Sequence, residues 1–307
     1  MNPLRSAVGD YLAMRRALGF KLDREEKLLP QFADFVAERG EQHLSTAAAL
    51  AWATLPKGSA AWWSSRLRIA RGFAIYMNAL DPTHEVPAPD LLPSPPHRAT
   101  PYLYDERQIS ALIAAAGTLR TPLRVATFQT LLGLLAVTGM RIGEVIGLDR
   151  QDFDARNGCL VVRGAKFGKS RELALHPSTV TALRGYLRRT DRPPAAPNTS
   201  ALLITSVGTR LRINDAQRTF TTLRCRAGIE ARSASRRPRL HDLRHSFAVA
   251  TVLDAYHRDE DVGRSLALLA TYLGHVDPDS TYWYLSAAPE LMQLAADRLQ
   301  RHTEQRS

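Results

Sequence analysis

Residues 158–176 read "GCLVVRGAKFGKSRELALH", and within this stretch the helical spacing of apolar residues changes to the alternating pattern of β-strands. β-Branched and alternating residues stand on both sides of a turn rich in glycine and lysine, which predicts a β-hairpin. The segment "ALLITS" at 201–206 predicts one more short strand. The remainder reads mostly as helix, so we expect a mainly α (α+β) protein with a small antiparallel β-sheet or hairpin.

Helices are predicted on both sides of the hairpin from apolar residues that recur at helical spacing. After residue 101 they cover 105–117, 122–139, 141–148, 178–190, 214–228, 241–256, 262–273 and 289–301. Before residue 81 they cover 4–19, 25–40, 44–54 and 59–80, and the third of these begins at a Ser/Thr cap. The first 80 residues therefore predict a small all-helical domain.

Residues 81–101 contain seven prolines and cannot form a helix. Such a segment is stiff and extended, as in a linker between domains. The chain is therefore predicted to contain a helical domain at 1–80, a linker at 81–101 and a second domain at 102–307.

Positive charge dominates the composition, with a formal net charge of +11 and a pI near 10.1. Residues 101–307 carry 29 Lys and Arg against 20 Asp and Glu, whereas residues 1–100 carry 12 against 10. A polyanionic partner, such as nucleic acid or an anionic membrane surface, is expected to contact the second part. Two cysteines without metal-ligand spacing and no membrane-length apolar run predict a soluble protein of a reducing compartment.

Lysine is rare in this chain, which has 36 arginines and five lysines, yet Lys166 and Lys169 both lie in the hairpin. An ammonium group can release a proton, whereas a guanidinium effectively never does, so a lysine at this position is suited to act as a general acid. A solvated turn explains the two lysines equally well. The same stretch is not a phosphate-binding P-loop, because it has three residues between its glycines and leads into a strand.

Two further motifs place a charged pair three residues apart on one helix face. "RLHDLRHSFA" holds His241 and Arg244, which together suit a phosphate, and "TGMRIGEVIGL" holds Arg141 and Glu144. The second pair is either a surface ion pair or a working arginine braced by its carboxylate. A zinc site at His241 and His245 is not expected, because the motif has Asp where Glu is needed and lacks a third ligand.

The order of these motifs resembles the tyrosine recombinase (phage integrase) family over residues 100–290. "TGMRIGEVIGL" is followed by the lysine hairpin, by "HDLRH", by "YLGH" and by a tyrosine nine residues after that histidine. The resemblance implies a mostly helical catalytic domain at 102–307. It also implies a SAM-like core-binding domain at 1–80 that contacts DNA.

Family roles carry over to these positions residue by residue. The implied catalytic set is Arg141, Lys166, His241, Arg244, His275 and Tyr284, with Glu144 in support. Phe167 replaces a usual glycine, so Lys169 remains an alternative to Lys166. Tyr282 and Trp283 are then packing residues. We further expect DNA contacts from Lys169, Arg171, Arg236, Arg237 and Arg239.

The resemblance implies strand cleavage and rejoining through a 3′-phosphotyrosine, which needs no ATP, cofactor or metal. The implied partners are double-stranded DNA recombination sites, bound by a homotetramer on paired sites, with related recombinases or accessory proteins as further partners. No membrane partner is expected, and the implied location is cytoplasmic and nucleoid-associated. A helix near 289–300 packs either on its own domain or on a neighbour.

Two other interpretations stay open at the level of sequence. One is an inactive scaffold that serves as a DNA-binding regulator or architectural protein, although such a protein would not need Tyr284 or Lys166. The other is a relaxase similar to type IB topoisomerases, which shares the chemistry but acts without defined sites.

Overall fold

The computed structural model describes residues 3–93, 100–163, 170–193, 199–231, 233, 237–274, 290–294, 296 and 300. The chain divides into two compact units, Met1–Arg98 and Ala99–Ser307, and each has its own apolar core. Among the described residues, every helix is too short or too polar to cross a bilayer.

The first unit consists of four helices, as the sequence predicts. They are α1 (Pro3–Ala17), α2 (Glu25–Glu38), α3 (Thr46–Thr54) and α4 (Ala60–Leu80). The side chains of Ser45 and Ser59 accept hydrogen bonds from the first turns of α3 and α4, and so fix where these helices begin. Their apolar faces meet in a core that includes Phe32, Trp52 and Phe73.

The proline-rich segment begins against the first unit. Its described part, 81–93, has no helix or strand, and the Glu85 N–H donates to the Leu44 carbonyl at 2.8 Å. This part of the predicted linker is therefore attached to the helices that precede it. Residues 94–99 lie outside the described part, and the linker role of 81–101 stays a prediction.

The second unit is also mainly helical. Its α-helices are α5 (Glu106–Ala116), α6 (Pro122–Thr138), α7 (Ile142–Gly147), α8 (Pro177–Leu187), α9 (Ile213–Arg226), α10 (Asp242–His257) and α11 (Val262–Leu273). A 3₁₀ turn covers Arg150–Asp152, and the described residues near 290–300 are helical. Leu291 is buried with α10 and α11, so this last segment packs on its own unit.

The hairpin prediction is confirmed, and a third strand joins it. β1 (Phe153–Asp154), β2 (Cys159–Val162) and β3 (Arg171–Ala174) form an antiparallel sheet in that order. Cys159 pairs with Ala174 and Val162 with Arg171, so the pairing brackets residues 164–169, which lie outside the described residues.

The strand predicted at 201–206 is wrong. Ala201 and Ile204 form only isolated bridges, with Asp149 and Arg210 respectively. The apolar residues of this segment are fully buried among helices, because the run fills the core rather than extending the sheet. In the sequence, a short apolar run looks the same whether it forms a buried strand or a buried segment that is not part of a sheet.

Candidate active site

Two helices that lead into the candidate site end at left-handed glycines. Gly139 follows α6 with φ 58°, and Gly274 follows α11 with φ 67°. A Cβ atom would lie 2.5 Å from Phe247 Cδ1 at the first position and 2.9 Å from Arg171 Nη1 at the second. Glycine is favoured at both because of the positive φ, and the sharp turns let the last helical carbonyls accept from side chains.

Arg244 donates hydrogen bonds to carbonyls at the ends of these two helices. It lies in the first turn of α10 and is only 2% exposed. Its Nη1 donates to the Gly139 oxygen at 2.7 Å, and its Nη2 donates to the Leu273 oxygen at 2.8 Å. The C-terminal ends of helices carry partial negative charge, which favours a cation there. Because the two acceptors are neutral, they hold the guanidinium without cancelling its charge.

Arg141 and Glu144 form a partly buried pair at the start of α7. Nη1 of Arg141 lies 2.9 Å from Glu144 Oε1, and the Arg141 backbone N–H donates to Oε2 at 2.9 Å. Nη2 of Arg141 also reaches the Gly274 oxygen at 3.4 Å. The arginine side chain is 35% exposed and the glutamate only 10%. The geometry is that of a braced arginine open to solvent, not of an ordinary surface pair.

Arg171 adds a second guanidinium to the same carboxylate. Its Nη2 and Nη1 lie 2.8 and 3.2 Å from the two oxygens of Glu144, and its Nε donates to the Tyr272 oxygen at 2.9 Å. Sequence reasoning assigned Arg171 to DNA contact, but its side chain is 13% exposed and lies within the site. The sequence did contain a signal for this burial: Arg171 is two residues from the apolar Leu173, so both lie on the same face of the strand, and Leu173 is buried.

Glu144 is held as an anion by its neighbours. Burial would raise the pKa of Glu144, but hydrogen bonds from Arg171 and from the Arg141 backbone, with the charges of both arginines, outweigh burial. The pKa therefore lies below its ordinary value. At neutral pH the carboxylate is ionised and can accept from both guanidinium groups.

His241 stands at the N-terminal cap of α10, exposed at the surface of the site. Although the residue as a whole is exposed, the protein atoms beside its ring displace water, and this desolvation lowers the pKa of His241. The nearby charge of Arg244 lowers the pKa further, whereas Asp242 opposes this. The imidazole is therefore neutral at neutral pH and able to accept a proton. Its pKa also responds to Arg141, which places both arginines near the ring.

The predicted DNA contact Arg239 is engaged within the protein. Its guanidinium lies 3.1 Å from Asp242, which is fully buried, and its backbone N–H donates to the same carboxylate at 2.9 Å. The side chain is still half exposed. Arg237, in contrast, is simply exposed at the surface.

The structure brings Arg141, Glu144, Arg244 and His241 together, and it adds Arg171. Apart from Arg237 and Arg239, the other predicted site residues lie outside the described part of the chain: they are Lys166, Lys169, Arg236, His275 and Tyr284.

One group of potential metal ligands occurs among the described residues, in the first unit rather than among these arginines. It consists of His43, Asp81 and His84. His84 Nδ1 accepts the Leu44 N–H at 2.9 Å, so a neutral ring carries its proton on Nε2. A histidine that binds a metal donates from its second nitrogen, and His84 accepts there instead. These residues do not fit a metal site in this arrangement.

The arginine cluster, defined as Arg141, Arg171 and Arg244, includes one carboxylate, Glu144, which pairs with Arg141 and Arg171. Its charge is therefore positive, and Arg141 is the member with most access to solvent. A phosphodiester offers charged oxygens to such a site, and guanidinium groups can stabilise further negative charge as it develops.

Comparison with known proteins agrees with this chemistry. The phage integrase family matches residues 103–290. A Sinorhizobium fredii protein named integrase/recombinase y4rB is 43% identical over 314 residues and covers all of both chains. Tyrosine recombinase XerD of Mycobacterium tuberculosis is 32% identical over 197 residues, 62% of this chain and 58% of that one.

A solved structure of the Tn1549 transposon integrase in complex with transposon right-end DNA is similar in fold. The TM-score is 0.64 at 15% identity, and the match covers 96% of this chain and 98% of that one.

Proposed function

The chain belongs to the phage integrase family of tyrosine recombinases, and we propose that it cleaves and rejoins DNA strands at specific sites through a 3′-phosphotyrosine intermediate. The observation that carries this proposal is the arginine cluster around Glu144, with its neutral histidine. Such a site matches the charge that develops on a phosphodiester under attack.

In the proposed first step, the Tyr284 oxygen attacks the phosphorus atom. A bond forms between that oxygen and phosphorus, and the bond from phosphorus to the 5′-oxygen breaks. The products are a 3′-phosphotyrosine and a free 5′-hydroxyl. The reverse step, with the 5′-hydroxyl of another strand, rejoins the DNA without loss of the bond energy.

Proton transfers at both ends of this step need assigned residues. A tyrosine phenol has a pKa of about 10 and needs a base, and the proposed base is His241, which is neutral at neutral pH. The proposed acid is Lys166, with Lys169 as the alternative, and it protonates the leaving 5′-oxygen. The phosphate oxygens would be contacted by Arg141, with Arg244 and His275 adding charge and a hydrogen bond.

The proposed partner is double-stranded DNA, which the transposon integrase of similar fold also binds in its solved structure. Residues 1–80 would form the core-binding domain and residues 102–307 the catalytic domain. Recombination between two sites would require four copies, so we propose a homotetramer on paired sites. Movement of a mobile element is the proposed role.

Covalent capture on DNA tests the proposal. The protein is incubated with supercoiled DNA that carries the sequences flanking its own gene, and the adduct is digested and mapped by mass spectrometry. A nucleotide remnant on Tyr284 is expected. Tyr284→Phe should abolish the adduct and leave DNA binding nearly intact, whereas the control Tyr282→Phe should keep both.

The other outcomes of this experiment are informative. A remnant on Tyr282 would keep the reaction and move the nucleophile. DNA binding without any adduct would favour an inactive scaffold, and relaxation of DNA that lacks any site would favour the topoisomerase-like activity. Cleavage should suffer more from Lys166→Ala than from Lys169→Ala, and the reverse ranking would assign the acid to Lys169.

A further inference from the structure

We propose that Arg171 is a positioning residue that acts through Glu144 to hold Arg141 in place, and that the same guanidinium fixes the end of α11. This inference rests on the proposed function, because it assigns Arg171 a task in the same reaction. Arg171 is not a catalytic residue in this proposal, since its own guanidinium faces Glu144 and a backbone carbonyl.

The contacts of Arg171 join three parts of the second unit. The residue belongs to β3, at the base of the hairpin that carries Lys166 and Lys169. Its two Nη atoms lie 2.8 and 3.2 Å from Glu144 on α7, and its Nε lies 2.9 Å from the Tyr272 oxygen in the last turn of α11. A side chain that is 13% exposed at these distances has little freedom to move.

The geometry of the carboxylate transmits this restraint to Arg141. Each oxygen of Glu144 accepts from both arginines: Oε1 from Nη1 of Arg141 and Nη1 of Arg171, Oε2 from the Arg141 backbone and Nη2 of Arg171. Arg171 thus fixes the plane of the carboxylate, and the carboxylate fixes the direction of the Arg141 side chain. Only a planar fork can engage both oxygens and keep Nε for a third partner.

The end of α11 is held from both sides. Arg171 binds the Tyr272 oxygen, and Nη2 of Arg141 reaches the Gly274 oxygen at 3.4 Å. Gly274 accommodates this approach because a Cβ there would lie 2.9 Å from Arg171 Nη1. The next residue in the sequence is His275, so Arg171 and Arg141 hold the backbone directly before this predicted site residue.

Loss of Arg171 has a consequence that depends on pH. Burial alone would raise the pKa of Glu144, and the hydrogen bonds from Arg171 are the first of the opposing causes. Without them the pKa of Glu144 rises. As pH falls through this raised pKa, Glu144 takes up a proton and loses its charge, so its hold on Arg141 weakens. The wild type keeps the anion to lower pH.

Three variants separate these effects. Arg171→Met removes the fork and the charge, and Arg171→Lys retains a charge but not the fork. Arg163→Met is the matched control, because Arg163 stands at the other side of the hairpin base and pairs with Asp152, with its side chain 61% exposed. Both Met variants remove one positive charge, so any general loss of attraction to DNA is equal in the two.

Single-turnover adduct formation is measured for each variant on saturating DNA between mildly acidic and neutral pH. Arg171→Met is expected to form the adduct about 100-fold more slowly than the wild type, as a misplaced catalytic group does. The ratio of its rate to the wild-type rate should fall further as pH decreases. Arg171→Lys keeps the charge but not both hydrogen bonds, so it should recover part of the rate and show a weaker dependence of the ratio on pH than Arg171→Met. Arg163→Met should behave as the wild type.

Two outcomes would overturn the inference. One is a wild-type rate in Arg171→Met. The other is that Arg171→Met and Arg171→Lys are slowed equally, with a ratio to the wild-type rate that does not change with pH. If the wild type itself forms no adduct, the proposed function fails instead. Crystal structures of the wild type and Arg171→Met then decide the inference without any activity. Arg141 should leave Glu144 in the variant, and an Arg141 that keeps its position would refute the positioning role.

Discussion

Each unit of this protein buries an arginine, and the two are buried in different ways. Arg66 of α4 is 5% exposed and lies with its guanidinium carbon 3.8 Å from the centre of the Trp52 ring. Its Nη2 donates to the Trp52 oxygen at 2.9 Å, and its Nε has no hydrogen-bond partner among the described residues. Arg244 is 2% exposed and donates from both Nη atoms to the carbonyls that end two helices.

The difference shows what each burial achieves. The aromatic ring lets Arg66 fill space in an apolar core, where burial lowers its pKa and its charge is attracted to the face of the Trp52 ring. Arg244 lies beside Arg141, Glu144 and His241, where its charge lowers the pKa of the histidine. The first arginine is part of the packing, whereas the second supplies charge to a site. Substitutions at matched positions can test this distinction.

The largest effect is expected from Arg244→Lys. Lysine keeps the charge but cannot reach two carbonyls with a fixed fork, so one helix end is left unpaired and the site is displaced. We expect adduct formation to fall about 1000-fold, a loss of the size seen when a preorganised donor is removed. Single-turnover cleavage measures this. The matched control is Arg66→Lys, which should cleave at the wild-type rate; equal losses in both variants would remove the distinction.

The next effect is expected from Gly139→Ala. The glycine has φ 58°, and an added Cβ would lie 2.5 Å from Phe247 Cδ1, so both strain and a clash oppose the substitution. We expect unfolding free energy to fall by about 2–4 kcal/mol. The carbonyl that receives Arg244 should move as well, which slows cleavage.

Gly40 of the first unit provides the control for this substitution. It has φ 72° with nothing within 4 Å of an added Cβ, so Gly40→Ala carries strain without a clash. We expect a cost of about 1 kcal/mol. Urea unfolding followed by circular dichroism compares the two, and an equal cost would mean that the contact with Phe247 is easily relieved.

The smallest effect concerns the pH dependence of stability. The folded pKa of Glu144 is lowered, so its stabilising contribution is present above the unfolded pKa of about 4.3 and is lost as pH falls through the folded value. Glu144→Gln should therefore lower unfolding free energy by about 1–2 kcal/mol at neutral pH. The difference from wild type should shrink in acid.

Arg66→Met is the reference for that measurement, because arginine does not titrate in this range. It loses one hydrogen bond and the contact with Trp52, and we expect a cost of about 1 kcal/mol that is the same at every pH. A Glu144→Gln difference that is also flat with pH would show that Glu144 does not act as an anion in the folded protein.

Local features of the fold were predictable from sequence. Ser45 before α3 and the alternation around the hairpin act within a few residues, so the helices and the two main strands lie close to their predicted places. The segment at 201–206 was predicted wrongly, because Ala201 and Ile204 form only single bridges, the first with the distant Asp149 and the second with the nearby Arg210. Its apolar composition indicates burial but does not indicate a partner.

The candidate site was predictable only where its residues share a local motif. Arg141 and Glu144 are three residues apart, as are His241 and Arg244, and the structure places these four together. The contact between Arg171 and Glu144 spans 27 positions, and no local spacing encodes it. For this reason the sequence predicted Arg171 only as a DNA contact and did not predict its bond to Glu144.

The sequence by itself determined the helices, the hairpin, the family and the types of residue that the reaction would need, because these depend on short-range periodicity and on motif order. Tertiary structure alone decided which arginine is exposed and which is buried. Arg244 and Arg141 look alike in the sequence, and both reach the end of α11, yet Arg244 is buried between the ends of α6 and α11, whereas the Arg141 side chain is 35% exposed. The physical reason is that carbonyls without intrahelical partners occur only at helix ends, and the packing of helices distant in sequence determines where those ends meet.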